Sequence, residues 1–177
     1  MSTKSRILVL GGARSGKSRF AREWCETRHE ENGQKTFIAT CPPLDDEMKE
    51  RISLHQSERG EGWETVEEYF HLGETLRKKE LEQGVVLVDC LTLWLANLMT
   101  LEKEKSGFKD EIESFKRAVE DFSRPLAMVS SEVGLGLVPA DPLGRIFRDW
   151  QGKVNQEIAR IADEVFLVTA GIPLKLK

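Results

Sequence analysis

Gly11-Gly12-Ala13-Arg14-Ser15-Gly16-Lys17-Ser18 follows directly on the apolar run Ile7-Leu8-Val9-Leu10 and leads into a helix-like segment. This is the strand, loop and helix setting that a P-loop requires. Gly11 and Gly16 let the backbone turn its N–H groups inward around a phosphate, Lys17 can reach the β- and γ-phosphates, and the Ser18 hydroxyl can ligate Mg²⁺. Such a loop works only at the end of a buried strand, so the motif commits the chain to an α/β architecture. It names a nucleoside triphosphate as ligand and leaves the reaction open.

The rest of the chain keeps that rhythm. Arg6 to Leu10 reads as a strand and Lys17 to Arg28 as a helix; Thr36 to Thr40 and Leu44 to Glu58 repeat the pair, as do Val85 to Asp89 and Leu91 to Leu101. Trp63 to Val66 adds a strand, His71 to Gln83 and Glu111 to Phe122 add helices, and Leu126 to Ser130 follows Pro125 as a fifth strand. Short apolar runs alternating with helices predict a mainly parallel sheet flanked by helices on both faces, the P-loop NTPase-like class. In the long segment Asp141 to Ala162 the residues Leu143, Phe147, Trp150, Val154, Ile158 and Ile161 recur at three and four, one apolar helix face. Glu164 to Thr169, the turn Ala170-Gly171 and the alternating Ile172 to Lys177 predict a C-terminal β-hairpin.

Composition sets outer limits. A chain of 177 residues, 40% hydrophobic and 32% charged, fits one nucleotide-binding domain over 1–177. A net charge of -4 argues against a nucleic-acid partner held by a general basic field. Cys25, Cys41 and Cys90 form no C-x-x-C pair, so neither a disulfide framework nor a structural zinc is expected, and a reducing cytoplasm fits best. No run approaches the roughly 20 apolar residues of a membrane span. The four apolar residues before the glycine loop are too few for a signal-peptide core.

Several residues stand where chemistry is done. Asp89 closes the run Val85-Val86-Leu87-Val88, the position from which a Walker B acid holds Mg²⁺ directly or through water; Asp89 or Thr92 can equally cap the next helix. His55 falls three residues after Ile52, on the stripe of Leu44 and Met48, and by spacing alone is a core-edge histidine. Thr40-Cys41-Pro42-Pro43 and Ser130-Ser131-Glu132 follow strands at the sheet end where ligands bind. Arg145, Arg148 and Lys153 can approach phosphates or can form a solvated helix face. Trp24, Trp63, Trp94 and Trp150 fit core or interface positions better than stacking platforms.

Taken together these motifs resemble the bifunctional adenosylcobinamide kinase/adenosylcobinamide-phosphate guanylyltransferase family of cobalamin biosynthesis, nearly end to end. The likeness rests on the glycine loop, Ile38-Ala39-Thr40, Asp45-Asp46-Glu47-Met48 with Arg51-Ile52 and His55, Trp63-Glu64-Thr65-Val66-Glu67, and Asp89-Cys90-Leu91-Thr92. It continues through Glu132-Val133-Gly134-Leu135-Gly136-Leu137-Val138-Pro139, Arg145 to Asn155, and Ala162-Asp163-Glu164-Val165. The resemblance implies that His55 carries a covalent guanylyl group. It places nucleotide contacts on Gly11, Gly12, Ala13, Arg14, Ser15, Gly16, Lys17 and Ser18, on Ile38, Ala39 and Thr40, on Gln56, Ser57, Glu58 and Arg59, and on Glu67 and Asp89. Where members often carry a more basic stretch with a proline, this chain has Gln56-Ser57-Glu58-Arg59-Gly60.

The resemblance further implies ATP or GTP with Mg²⁺ at Ser18 and Asp89, adenosylcobinamide and its phosphate as partners, and a homotrimer. In the implied chemistry the corrinoid hydroxyl takes a γ-phosphate, and His55 then attacks the α-phosphate of GTP, releasing pyrophosphate before GMP passes to the phosphorylated corrinoid. A competing reading is a monofunctional P-loop kinase for another small hydroxyl substrate. A GTP switch is disfavoured because the chain lacks N-K-x-D, and Asp141-Pro142-Leu143-Gly144 follows a loop and reads as a helix start.

Overall fold

The computed structural model describes residues 5–31, 33–44, 46, 50, 60–100 and 107–177. In chain order the elements are β1 (Arg6–Gly11), α1 (Lys17–Glu26), β2 (Gln34–Ala39), β3 (Trp63–Glu67), α2 (Leu72–Lys79), β4 (Gly84–Asp89), α3 (Leu91–Thr100), α4 (Phe108–Asp121), β5 (Leu126–Ser131), α5 (Pro142–Ile161), β6 (Glu164–Thr169) and β7 (Ile172–Lys175). The helix predicted over Leu44 to Glu58, with His55, lies largely outside the described residues.

Among the described residues the strands form one sheet in the order β3-β2-β4-β5-β1-β6-β7. Every neighbouring pair is parallel except β6 with β7, the predicted hairpin. Strands buried on both faces cannot alternate apolar with polar residues, which is why Val85 to Val88 and Leu126 to Val129 read as unbroken apolar runs. Alternation survives in where the side chains go. Ile7 and Val9 of β1 join Val85, Leu87, Ala127 and Val129 in a cluster closed by Ala21, Trp24 and Cys25 of α1. Leu8 and Leu10 join Val86, Val88 and Met128 in a second cluster closed by helices α2 to α5.

Two boundaries differ from expectation. The helix predicted to reach Gln83 ends at Lys79, where the chain tightens: Leu81 and Glu82 donate their N–H groups to the carbonyls of Lys78 and Lys79, three residues back. In α5 the apolar stripe is only part of the buried face. Leu143 is 52% exposed on the first turn, while Gln151 and Asn155 are buried among Val154 and Ile158. Trp94 is fully buried and Trp24 nearly so, whereas Trp63 and Trp150 are half-buried. No helix among the described residues is long and apolar enough to cross a membrane.

Candidate functional site

The loop between β1 and α1 is folded as a cradle. Arg14 and Gly16 take left-handed backbone angles, φ 53° and 94°, and the Gly16 carbonyl accepts the first turn's Phe20 N–H at 3.0 Å. Among the described residues no side chain caps α1, and its first turn carries no acidic residue, so the helix directs its N-terminal N–H groups and the positive end of its dipole to the loop. Lys17 folds back, its Nζ donating to Gly12 O at 2.9 Å. An anion in the cradle can recruit that ammonium with a small swing of the side chain.

Gly11 is required by close packing: a Cβ there would lie 2.4 Å from Ser15 Oγ and 2.5 Å from the Val168 carbonyl oxygen. Ser15 Oγ is buried and makes no hydrogen bond among the described residues. The hairpin turn supports the loop from behind, because Gly171 N–H donates to Ser15 O at 2.8 Å. A Cβ on Gly16 would stand 3.3 Å from Gly171 Cα, so the two turns lie in contact. Nothing in the spacing of the sequence announced this strut, whose ends are more than 150 residues apart.

Strand register assembles the rest of the site. Glu67, Ala39, Asp89, Val129 and Val9 lie side by side on β3, β2, β4, β5 and β1. Asp89 is therefore separated from the P-loop strand by β5 alone, roughly 10 Å across the sheet at normal strand spacing. Lys17 and Asp89 both act on Cys90. Burial pushes its thiol up to about 12, the Asp89 carboxylate adds to the rise, and the Lys17 ammonium opposes it. The thiol stays protonated and unreactive. Cys25 and Cys90 are buried free thiols.

Thr40 is engaged inside the protein. Its hydroxyl donates to Cys90 O at 2.8 Å and accepts from Cys90 N–H at 2.7 Å, its N–H donates to Asp89 O, and its carbonyl accepts from Asn97 Nδ2 at 2.8 Å. Thr40 thus locks the end of β2 to the residue after Asp89. Ile38 is fully buried and Ala39 half-buried, so this stretch forms a wall. Glu67 accepts from the Tyr69 hydroxyl at 2.7 Å. Burial, with Glu67 second, raises the Tyr69 hydroxyl to about 12, so it remains a donor.

A buried polar cluster stands at the end of β5. Ser130 Oγ donates to Asn155 Oδ1 at 2.7 Å, Gln151 Nε2 donates to both Ser130 Oγ and Asn155 Oδ1 at 2.9 Å, and Asn155 Nδ2 donates to Ser131 O at 3.1 Å. Thr92 Oγ1 accepts the Ser131 N–H at 2.7 Å. These contacts tie α5 and α3 to the strand end that pairs with Gly11. The sequence flagged Ser130 and Ser131, and Thr92 as a possible helix cap, but gave no role to Gln151 and Asn155, 21 to 25 residues away, because polar residues within a helix pattern read as its solvent face.

Other candidates have local roles. Arg145 Nη1 donates to Pro139 O and Ala140 O, Lys153 stands 4.5 Å over the Trp150 ring, and Arg148 approaches Asp149 at 3.8 Å. Asp141 caps α5, its Oδ1 accepting Gly144 N–H at 2.7 Å, so the D-x-x-G match is a helix start. His55, Gln56, Ser57, Glu58 and Arg59 lie outside the described residues. Among the described residues no three His, Cys, Asp or Glu side chains gather around a point. A hard divalent cation would take Ser18 and Asp89 oxygens and fill its shell from phosphate and water, the habit of Mg²⁺.

Comparison with known proteins follows this geometry. Residues 7–176 match the family described as cobinamide kinase / cobinamide phosphate guanyltransferase. The bifunctional adenosylcobalamin biosynthesis protein CobU of Escherichia coli is 39% identical over 183 residues, covering 97% of this chain and 99% of the relative. CobP of Pseudomonas aeruginosa, of the same description, is 39% identical over 173 residues, covering 97% of each. Among solved structures, the flagellar accessory protein FlaH of Methanocaldococcus jannaschii superposes with a TM-score of 0.55 at 14% identity, over 100% of this chain and 80% of that one. A KaiC-like protein of Pyrococcus horikoshii gives 0.51 at 13% identity, over 93% and 71%. These two share the fold.

Proposed function

The chain belongs to the cobinamide kinase / cobinamide phosphate guanyltransferase family, and from that premise we propose how its residues divide the two reactions of cobalamin biosynthesis between them. It is a kinase and a nucleotidyltransferase. The kinase phosphorylates adenosylcobinamide from ATP or GTP. The transferase then moves GMP from GTP onto adenosylcobinamide phosphate, giving adenosylcobinamide-GDP and pyrophosphate.

The observation that carries the assignment of residues is the cradle itself, with the N-terminal N–H groups of α1 and the Lys17 ammonium at the loop, and Asp89 across β5 at the same end of the sheet. In the kinase step these groups bind and align the triphosphate, and Lys17 neutralises charge as the γ-phosphoryl group leaves. Mg²⁺ supplies further charge neutralisation when held by Ser18 and Asp89. In the transferase step the same loop holds the triphosphate tail of GTP while His55 attacks the α-phosphate as a neutral imidazole. A phosphoramidate forms and pyrophosphate departs, so one displacement becomes two. Ile38 to Thr40, Gln56 to Arg59 and Glu67 complete the nucleotide contacts.

We read the protein as one catalytic domain over 1–177, working in the cytoplasm as a homotrimer. What supports an assembly is the C-terminal edge of the sheet, where Ile172 and Leu174 of the edge strand β7, and Leu176 just past it, are exposed at alternate positions. The test of the division of labour uses GTP labelled at the α-phosphate. Wild-type protein should form an acid-labile, alkali-stable adduct, His55→Ala should lose the adduct and keep kinase activity, and Lys17→Ala should lose both. A protein that phosphorylates adenosylcobinamide but never takes the label would be a monofunctional kinase, and normal adduct formation by Lys17→Ala would refute a shared cradle.

A further inference from the structure

Most large apolar side chains of this protein are buried on one face of the sheet or the other, but the segment between β5 and the second turn of α5 breaks the rule. Leu135 is 83% exposed, Leu137 97%, Val138 63%, Leu143 52% and Ile146 49%. Five aliphatic side chains are presented to solvent within twelve residues, a concentration of exposed apolar groups of the kind that marks a binding site.

The segment is anchored. At its start, Glu132 N–H donates to Gly11 O at 3.1 Å, and the Glu132 carboxylate accepts Gly134 N–H at 3.0 Å. At its end, Arg145 Nη1 holds the carbonyls of Pro139 and Ala140, and Asp141 caps the helix that carries Leu143 and Ile146. Polar contacts therefore fix both ends while the apolar middle faces outward.

Its place in the fold says what it receives. Glu132 is hydrogen-bonded to the first residue of the phosphate cradle, and a chain spans at most about 3.6 Å per residue. Leu135 thus lies within roughly 11 Å of that bond, and Leu137 within roughly 18 Å. A phosphoryl acceptor must bring its hydroxyl to the cradle, so the body of the acceptor lies over whatever surrounds it. A small polar alcohol has no use for five aliphatic side chains. A corrinoid, a broad macrocycle with an apolar face, an amide rim and a hydroxyl on a flexible arm, matches both the patch and its distance.

A second copy of the chain is the other candidate occupant. It fits less well, because specific protein interfaces draw on about 20–30 residues and about 800 Å² from each partner. The edge strand β7 offers a separate apolar surface for such contacts.

We infer that residues 133–146 form the docking surface for the corrinoid macrocycle, with Leu135, Leu137 and Val138 against its apolar face. The assignment rests on the kinase and transferase reading above. It is tested with the double variant Leu135→Ser/Leu137→Ser, whose sites are too exposed to unsettle the core, and with Leu135→Met/Leu137→Met as the conservative rescue. The readouts are the KM for adenosylcobinamide and for ATP, the rate of guanylyl-adduct formation from GTP alone, and sedimentation velocity.

The serine variant should raise the corrinoid KM at least tenfold, and the methionine variant should restore it to within about twofold. The nucleotide KM, adduct rate and sedimentation should match wild type in both. A corrinoid KM within twofold of wild type in the serine variant would overturn the inference, as would a fall to a smaller sedimenting species, which would assign the segment to contacts between copies. Failure of the underlying reading would be distinct, since wild-type protein would then not turn over adenosylcobinamide at all.

Discussion

Replacing Asn155 with alanine tests the buried cluster that holds α5 against the end of β5. Asn155 is 5% exposed, and Ser130 and Gln151 are fully buried, so water cannot replace a lost partner without a change in packing. Truncation removes three hydrogen bonds: two accepted by Oδ1, from Ser130 Oγ and Gln151 Nε2, and one donated by Nδ2 to Ser131 O. Part of the loss is recoverable. Gln151 Nε2 keeps its bond to Ser130 Oγ, and its Oε1, buried without a hydrogen bond among the described residues, can turn to accept the freed serine hydroxyl.

An unsatisfied buried polar group costs about 1–3 kcal/mol. With one clear orphan, the Ser131 carbonyl, and a strained rearrangement of the other two, the loss should be about 2–4 kcal/mol. For a chain of this size that lowers Tm by roughly 4–16 °C. Urea denaturation should show a lower midpoint at unchanged m, with calorimetry giving the Tm. Ser130→Ala completes a double-mutant cycle, and because the residues share one network the two losses should fail to add by at least about 1 kcal/mol. A loss below about 1 kcal/mol for Asn155→Ala, or additivity within about 0.5 kcal/mol, would refute the account of a cooperative cluster.

Three further perturbations probe other parts of the structure. Gly11→Ala would drive a methyl group into the Val168 carbonyl, which the pairing of β1 with β6 holds in place; about 1–3 kcal/mol of stability should be lost and nucleotide affinity should fall at least tenfold by calorimetric titration, and unaltered affinity would show that the cradle tolerates the shift. Asp141→Ala removes the cap of α5 and should cost about 1 kcal/mol by denaturant titration while nucleotide affinity stays the same; a loss of nucleotide binding would instead place Asp141 in the ligand site. The hydrogen bond from His71 Nδ1 to Glu111 at 2.9 Å raises the histidine pKa above its ordinary value. A raised folded-state pKa stabilises below the unfolded value of about 6.5 and is lost as pH climbs through the folded value. Since the imidazole is 53% exposed, the stability gap between wild type and His71→Gln should be under about 1 kcal/mol at pH 6 and should close as the pH rises past the raised folded-state pKa; a gap that widens with pH would reverse the sign of the argument.

The amino-acid sequence by itself determined the parts of this protein that depend on neighbours along the chain. The strand, glycine loop and helix at Ile7 to Ser18 are local chemistry, and so are the apolar runs that must become two-sided strands and the turn at Ala170-Gly171. Asp89 could be read as a site acid because a strand end is a local feature. Tertiary structure alone decided what those pieces touch. It placed β5 between Asp89 and the P-loop strand, set Gly171 beneath Ser15, turned Thr40 into a lock on Cys90, and buried Gln151 and Asn155 where the helix pattern offered a polar face. The same distinction separates Leu143 from Val154: both fall on one apolar stripe, but the fully buried positions of α5 begin at Gln151. Periodicity reports that a helix has an apolar side. Which turns of it find a partner, and which are left for a ligand, depends on strand order and on contacts between residues far apart in the chain.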